Sequence, residues 1–78
     1  MNKFQLFFCK GKILEVGCGQ GNIIELLKDK DIEATEIDLE RLHFARKRFP
    51  SINIYNKDIF KEKFGKYDTI LLLGVLEA

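Results

Sequence analysis

The chain holds no tryptophan, one proline, one histidine, one methionine and two cysteines in 78 residues. Each scarcity excludes something. His43 has no second histidine and no cysteine at ligand spacing, so no metal is expected. His43, Ser51 and an aspartate do not make a triad, because nothing in the sequence fixes their geometry. Cys9 lies before a strand-like segment and Cys18 after it. Four strand residues span ~13 Å, beyond disulfide reach, so reduced thiols and a cytoplasmic setting are expected. No apolar run approaches the ~20 residues of a membrane span, and the stretch after Asn2-Lys3 is too short and mixed for a leader. Charge of one sign is missing too: 13 basic against 12 acidic residues leave +1. That balance gives no electrostatic case for nucleic acid or an anionic membrane. Arg41, Arg46, Lys47 and Arg48 do cluster, but without interleaved aromatics, and read as a solvated helix face.

What remains is an ordinary globular composition, 46% hydrophobic and 32% charged, long enough for one domain with a marginal core. The chain is organised around Ile13-Leu14-Glu15-Val16-Gly17-Cys18-Gly19-Gln20-Gly21-Asn22. A short apolar run meets glycines at alternate positions, and a helical pattern follows with Ile23, Ile24, Leu26 and Leu27. This predicts a strand over 12–16, a tight turn, and a helix from Asn22 to about residue 28 or 30. Asn22 reads as its cap and Glu25 as the capping-box partner. Such a turn lets a ligand approach bare backbone beside a helix N-terminus.

A second strand is expected over 32–37 from its alternation. A helix over 39–49 follows, capped by Asp38, carrying Leu42, Ala45 and Phe49 on one face and stopped by Pro50. A third strand is predicted over 52–56, then a polar connection over 58–66 with one irregular turn. A fourth strand spans 67–73, where Ile70-Leu71-Leu72-Leu73 reads as a strand buried on both faces. Phe4, Leu6, Phe7 and Phe8 form an apolar lead-in without a clean period. Alternating strands and helices imply an α/β, Rossmann-like parallel sheet with right-handed crossovers and strand order 3-2-1-4. The switch point then lies between the first and fourth strands, above the glycine turn, where open α/β sheets bind ligands.

Glu36 stands nineteen positions past Gly17, at the predicted tip of the second strand. A carboxylate there is placed to accept from a ribose diol. The glycine spacing discriminates between nucleotides. A dinucleotide turn wants its third glycine at position 22, where this chain has asparagine. Glu15 just before the turn favours a ligand with positive charge, which counts against an NAD-type oxidoreductase.

The segment Glu15-x-Gly17-x-Gly19-x-Gly21 resembles the first motif of the class I S-adenosylmethionine-dependent methyltransferases. Ala34-Thr35-Glu36-Ile37-Asp38 resembles the second, Asn56-Lys57-Asp58-Ile59-Phe60 the third, and Tyr67-Asp68 through Leu76-Glu77 the fourth. The resemblance runs from Gly11 to Glu77. It implies S-adenosylmethionine as cofactor and methyl transfer to an unidentified acceptor. Glu15 and the backbone at Gly17 and Gly19 would hold the methionine end. Cys18 and Gly21 would be small residues of the turn under the cofactor, which outweighs reading Cys18 as a nucleophile. Glu36 would hold the ribose and Ile37 pack on the adenine. Asp58 would accept from the adenine amino group, the Ile59 N–H would donate to a ring nitrogen, and backbone near Gly74 would line the sulfonium side. No general base is identified, so the catalytic residues stay unknown. Asp68 reads as structural.

The chain departs from the family at Thr35, where glycine is common, and at Ala78, where many relatives carry histidine. The family's sheet has seven strands and four are readable, so residues 1–78 are expected to be the truncated, cofactor-binding half of a methyltransferase domain. On that reading the fourth strand is an open apolar edge through which a non-catalytic fragment would self-associate.

Overall fold

The computed structural model describes residues 9–72. Glycine-turned, apolar segments give four short strands: β1 Ile13–Val16, β2 Ile32–Thr35, β3 Ile54–Tyr55 and β4 Thr69–Leu71. Two helices connect them, α1 Asn22–Leu27 between β1 and β2, and α2 Leu39–Arg48 between β2 and β3. All pairings are parallel and the sheet order is β3-β2-β1-β4. The fold is therefore the expected Rossmann-like sheet, with β1 and β2 central. The apolar lead-in at 4–8, Gly74 and the Leu76-Glu77 pair lie outside the described residues.

The strands are shorter than their patterns suggest. Backbone pairing carries on beyond them as single bonds: the Ala34 N–H donates to the Asn53 carbonyl and the Glu36 N–H to that of Tyr55, both at 3.0 Å. The second strand so ends one residue before Glu36, which is free to turn its side chain toward β1. At the other end of the sheet Asp68 latches β4 to β1. Its carboxylate accepts from the Lys12 N–H at 2.7 Å and its own N–H donates to the Lys12 carbonyl at 2.8 Å.

On one face of the sheet Ile13, Ile32, Ala34, Ile54 and Leu71 pack in one cluster with Ile24 and Leu27 of α1 and Leu42, Ala45 and Phe49 of α2. The 3.6-residue period of both helices delivers those positions inward. The alternate strand positions carry a polar centre. Glu33 accepts from the Tyr67 hydroxyl at 2.6 Å and from the Tyr55 hydroxyl and Asn53 amide at 3.2 Å, with the Lys12 ammonium 3.8 Å away. Burial pulls the Glu33 carboxyl upward, but these bonds and the Lys12 charge outweigh it and hold it below the usual range. Phe64 from the 58–66 connection meets Tyr55 edge-on, with centroids 6.3 Å apart.

Helix α2 begins as expected, with the Asp38 carboxylate accepting from the Arg41 N–H at 2.9 Å. Helix α1 does not. Its N-cap is Gly21 at φ 94°, without a side-chain cap, and Asn22 is the first helical residue. Glu25 makes no capping box and instead meets Lys28 and Arg48. The basic cluster is likewise only partly a solvated face. Arg46 donates to the Ile54 carbonyl, and Arg48 to the Gln20 carbonyl and Asn22 side chain at 3.3 Å. Arg48 thus ties the end of α2 to the start of α1.

Gly21 is required for a second reason. A Cβ there would stand 2.6 Å from Cε2 of Phe49, which is 6% exposed at the end of α2. Gly21→Ala is expected to destabilise the fold by about 3 kcal/mol, from the left-handed backbone and the clash together. In a Phe49→Leu background the added cost of the alanine should fall to ~1–2 kcal/mol, the backbone share alone. Urea unfolding of the two single variants and the double variant measures this; an undiminished penalty in the double would refute the contact.

Candidate functional site

The loops after β1, β2 and β3 open onto one cleft of about 930 Å³. Gly17, Cys18, Gly19 and Gln20 form its floor side, Glu36, Ile37 and Asp38 come from the β2–α2 loop, and Lys57, Asp58, Ile59 and Phe60 from the segment after β3. The cleft sits at the carboxyl ends of parallel strands, where the sheet's order reverses between β1 and β4. Of the residues singled out in the sequence, Gly17, Cys18, Gly19, Glu36, Ile37, Asp58 and Ile59 line it together. Glu15 lies within β1 and is 2% exposed, and Gly21 packs against Phe49. Gly74 is outside the described residues.

The turn is closed by its own bonds. The Gly17 and Cys18 N–H groups both donate to the Thr35 carbonyl, at 3.0 and 2.9 Å. Thr35 is buried and its hydroxyl also accepts from the Gly17 N–H at 3.4 Å. Glu36 is 6% exposed. Its Oε1 accepts from the Gly19 N–H at 2.7 Å and its Oε2 from the Asp38 N–H at 2.9 Å. Asn56 reaches back to the Glu36 carbonyl at 3.0 Å and the Ile37 carbonyl at 3.3 Å. Asp58 organises the next turn: its Oδ1 accepts from the Phe60 N–H at 2.9 Å, and its carbonyl from the N–H groups of Lys61 and Glu62. The bonds of Thr35 and Glu36 to the glycine turn and of Asn56 to Glu36 join residues 17–20 apart in sequence, so periodicity does not announce them.

Two acids crowd the base of the turn. Burial, reinforced by the charge of Glu36, pushes the Glu15 carboxyl from 4.5 up to about 7. Its Oε1 has no hydrogen-bond partner among the described residues. Burial, with Glu15 and Glu36 adding to it, pushes the Cys18 thiol up to about 12. A thiol so raised is protonated at neutral pH and is a poor nucleophile. Cys9 and Cys18 are both unpaired.

Glu15 gives a pH dependence of known sign. A carboxyl raised on folding makes the folded state bind more protons, so its contribution to stability falls as pH rises from 4.5 to 7 and then levels off. The wild type should lose about 3 kcal/mol across that window relative to Glu15→Gln, at ~1.4 kcal/mol for each pH unit. Urea unfolding of both proteins on the acid and alkaline sides of the window reads this, and parallel pH profiles would contradict it.

Three comparisons bear on this geometry. The model of a family described as methionine biosynthesis protein MetW matches residues 4–75. Ribosomal RNA small subunit methyltransferase C of Haemophilus influenzae is 34% identical over 70 residues, covering 80% of this chain and 21% of the relative. The chain thus spans about a fifth of the length of the curated relatives it matches. Among solved structures, a methyltransferase from Bacteroides fragilis in complex with S-adenosyl-L-homocysteine superposes with TM-score 0.78 at 27% identity, covering 87% of this chain and 30% of that one. An amino pentose methyltransferase from Micromonospora echinaspora, with S-adenosylmethionine bound, gives 0.72 at 27% identity over 83% of this chain and 30% of that one. The sheet order, the glycine turn and the matched span agree: the chain belongs to the family described as methionine biosynthesis protein MetW, and its fold is that of the Rossmann-like S-adenosylmethionine-dependent methyltransferases.

Proposed function

We propose that this chain is the cofactor-binding half of an S-adenosylmethionine-dependent methyltransferase domain. The observation that carries the reading is Glu36. It is a buried carboxylate at the end of β2, facing the cleft and fixed to the glycine turn through the Gly19 N–H. A carboxylate offers about four lone-pair sites, so two backbone donors leave room for the two hydroxyls of a ribose. The relatives support the same class, since solved neighbours hold S-adenosylmethionine or S-adenosyl-L-homocysteine.

The residues present fit that cofactor. A cleft of about 930 Å³ is within the range of small-molecule sites, ~300–1,000 Å³. The unpaired Oε1 of Glu15 calls for a proton or a cation, and with the backbone at Gly17 and Gly19 it would meet the ammonium at the methionine end. Cys18 and Gly21 keep the turn small. Ile37 would pack on the adenine, Asp58 and the Ile59 N–H would address its polar edge, and backbone near Gly74 would line the sulfonium side. The cofactor, when bound, supplies an activated methyl group. The chain's own part is to bind, orient and shield it, because methyl transfer depends chiefly on in-line positioning. No acceptor and no general base is assigned to the residues of this cleft. The two unpaired thiols support a cytoplasmic setting.

A second reading rests on β4. It pairs only with β1 among the described residues, and its Ile70 is 50% exposed. Association of copies along that edge would appear as a concentration-dependent size in gel filtration, and a monomer at high concentration would exclude it.

Calorimetric titration with S-adenosylmethionine, S-adenosylhomocysteine and NAD tests the main reading. The adenosyl ligands should bind and NAD should not. Glu36→Gln should weaken them roughly tenfold to hundredfold and also lower the melting temperature, because one of its two backbone donors loses its acceptor; affinity is therefore read at a temperature where circular dichroism shows the variant folded. NAD binding in their place, or a folded protein that binds none of the three, would overturn the assignment.

A further inference from the structure

Glu33 is a carboxylate that the cleft does not use. Ile32 and Ala34 on either side of it pack against the helices, so strand alternation turns Glu33 to the opposite face of the sheet. Its side chain is 14% exposed, and its two oxygens are divided between two parts of the chain. Oε1 accepts from the Tyr67 hydroxyl at 2.6 Å, with the Lys12 ammonium 3.8 Å away. Oε2 accepts from the Tyr55 hydroxyl and the Asn53 amide, both at 3.2 Å. Asn53 and Tyr55 precede the 56–66 connection and Tyr67 follows it. One side chain on β2 therefore holds both the entry and the exit of that connection.

Packing alone does not call for an acid here. The register partner of Glu33 on β1 is Leu14, and an apolar residue beside it would need no partners, whereas a carboxylate taken out of water must find them. Holding the two ends of a connection removes freedom from the loop between them. The limbs are joined again further along. The Lys57 ammonium stands 5.6 Å from the ring centres of both Tyr55 and Phe64, and those two rings meet edge-on. The next residue is Asp58, whose turn is closed by bonds to Phe60, Lys61 and Glu62. Lys57, Asp58 and Ile59 line the cleft. A continuous path so runs from Glu33, through Tyr55 and Lys57, to the Asp58 turn.

We propose that Glu33 is a positioning residue of the cofactor site: by clipping the two ends of the 56–66 connection, it sets where the Asp58 turn stands at the cleft. The clip itself stands on the bonds above, and its consequence for the adenine rests on the cofactor reading.

Amide hydrogen exchange on the free protein tests the clip without a ligand. Glu33→Leu fills the position and removes the acceptors. It should speed exchange at Phe60, Lys61 and Glu62 about tenfold more than at Ile13, Gly17 and Leu42, whose N–H groups are bonded elsewhere in the fold. Tyr67→Phe, which cuts the exit side alone, and Glu33→Gln, which keeps one acceptor oxygen, should give smaller increases at the same three amides. Both are mild, so the test does not depend on Glu33→Leu folding. In calorimetry, the preference for S-adenosylhomocysteine over S-inosylhomocysteine, which has a carbonyl in place of the adenine amino group, should shrink roughly fivefold or more in Glu33→Leu, and less in Glu33→Gln. General loosening of the fold weakens both ligands alike and leaves that ratio unchanged. Equal acceleration at all six amides, or an unchanged ratio with wild type binding, would overturn the role of Glu33 and leave the cofactor reading intact. Wild type that binds neither ligand would overturn the cofactor reading, and the exchange rates would still decide whether Glu33 places the turn.

Discussion

One carboxylate holds the upper edge of this molecule together. Glu36 accepts from Gly19 in the turn after β1 and from Asp38 at the cap of α2. Its backbone N–H bonds the Tyr55 carbonyl of β3, and its carbonyl accepts from Asn56 just beyond. Three loops that leave three strands so converge on one buried residue. Charge-assisted bonds of this kind contribute ~1.5–3 kcal/mol each, a large share of what a small domain has to spare. The same group is the one best placed to meet a ribose. Stability and ligand recognition therefore depend on a single carboxylate, and the cleft is shaped before any ligand arrives.

The layer beneath fixes where that carboxylate stands. Gly21 allows the Phe49 ring against the start of α1, and Arg48 clamps the same corner by bonds to Gln20 and Asn22. At six residues, α1 is too short for its dipole to define a site. Its use is mechanical: it returns the chain to β2 so that Thr35 and Glu36 arrive beside the turn. Glu15, enclosed at the root of the turn with one oxygen unpaired, adds a stored electrostatic cost that a proton or a cation relieves. Sites commonly hold such costs where a ligand will remove them.

The order of elements was legible because each signal is local. Glycine at 17, 19 and 21, alternation at 32–37 and the Asp38 cap with Pro50 beyond it predict β-α-β-α-β, and the rules of crossover handedness turn that into the observed order. Seven of the residues that line the cleft, Gly17, Cys18, Gly19, Glu36, Ile37, Asp58 and Ile59, were legible for the same reason, since strand ends and the turns after them are sequence features; Gln20, Arg41, Lys57 and Phe60 were not. The misreadings share a cause. Asn22 looks like a cap, but a glycine in left-handed conformation takes that place because Phe49 leaves no room for a side chain. Arg46 and Arg48 look solvated, yet they satisfy carbonyls that only the folded chain brings near. The Glu33 centre with Tyr55, Tyr67 and Asn53, and the exposure of Phe60, are likewise products of tertiary placement.

Entry of an adenosyl ligand between the glycine turn and the β2–α2 loop, at Glu36, is the event on which the proposed function depends. The most direct test follows the backbone amide resonances of the protein as S-adenosylhomocysteine is added. The largest shifts should fall on Gly19 and Asp38, whose N–H groups donate to that carboxylate, and on Gly17 and Glu36, with Asp58 and Ile59 moving as the base end fills. Shifts confined to the second, smaller hollow around Arg46, Pro50 and Tyr55, or a spectrum that does not respond at all, would contradict it.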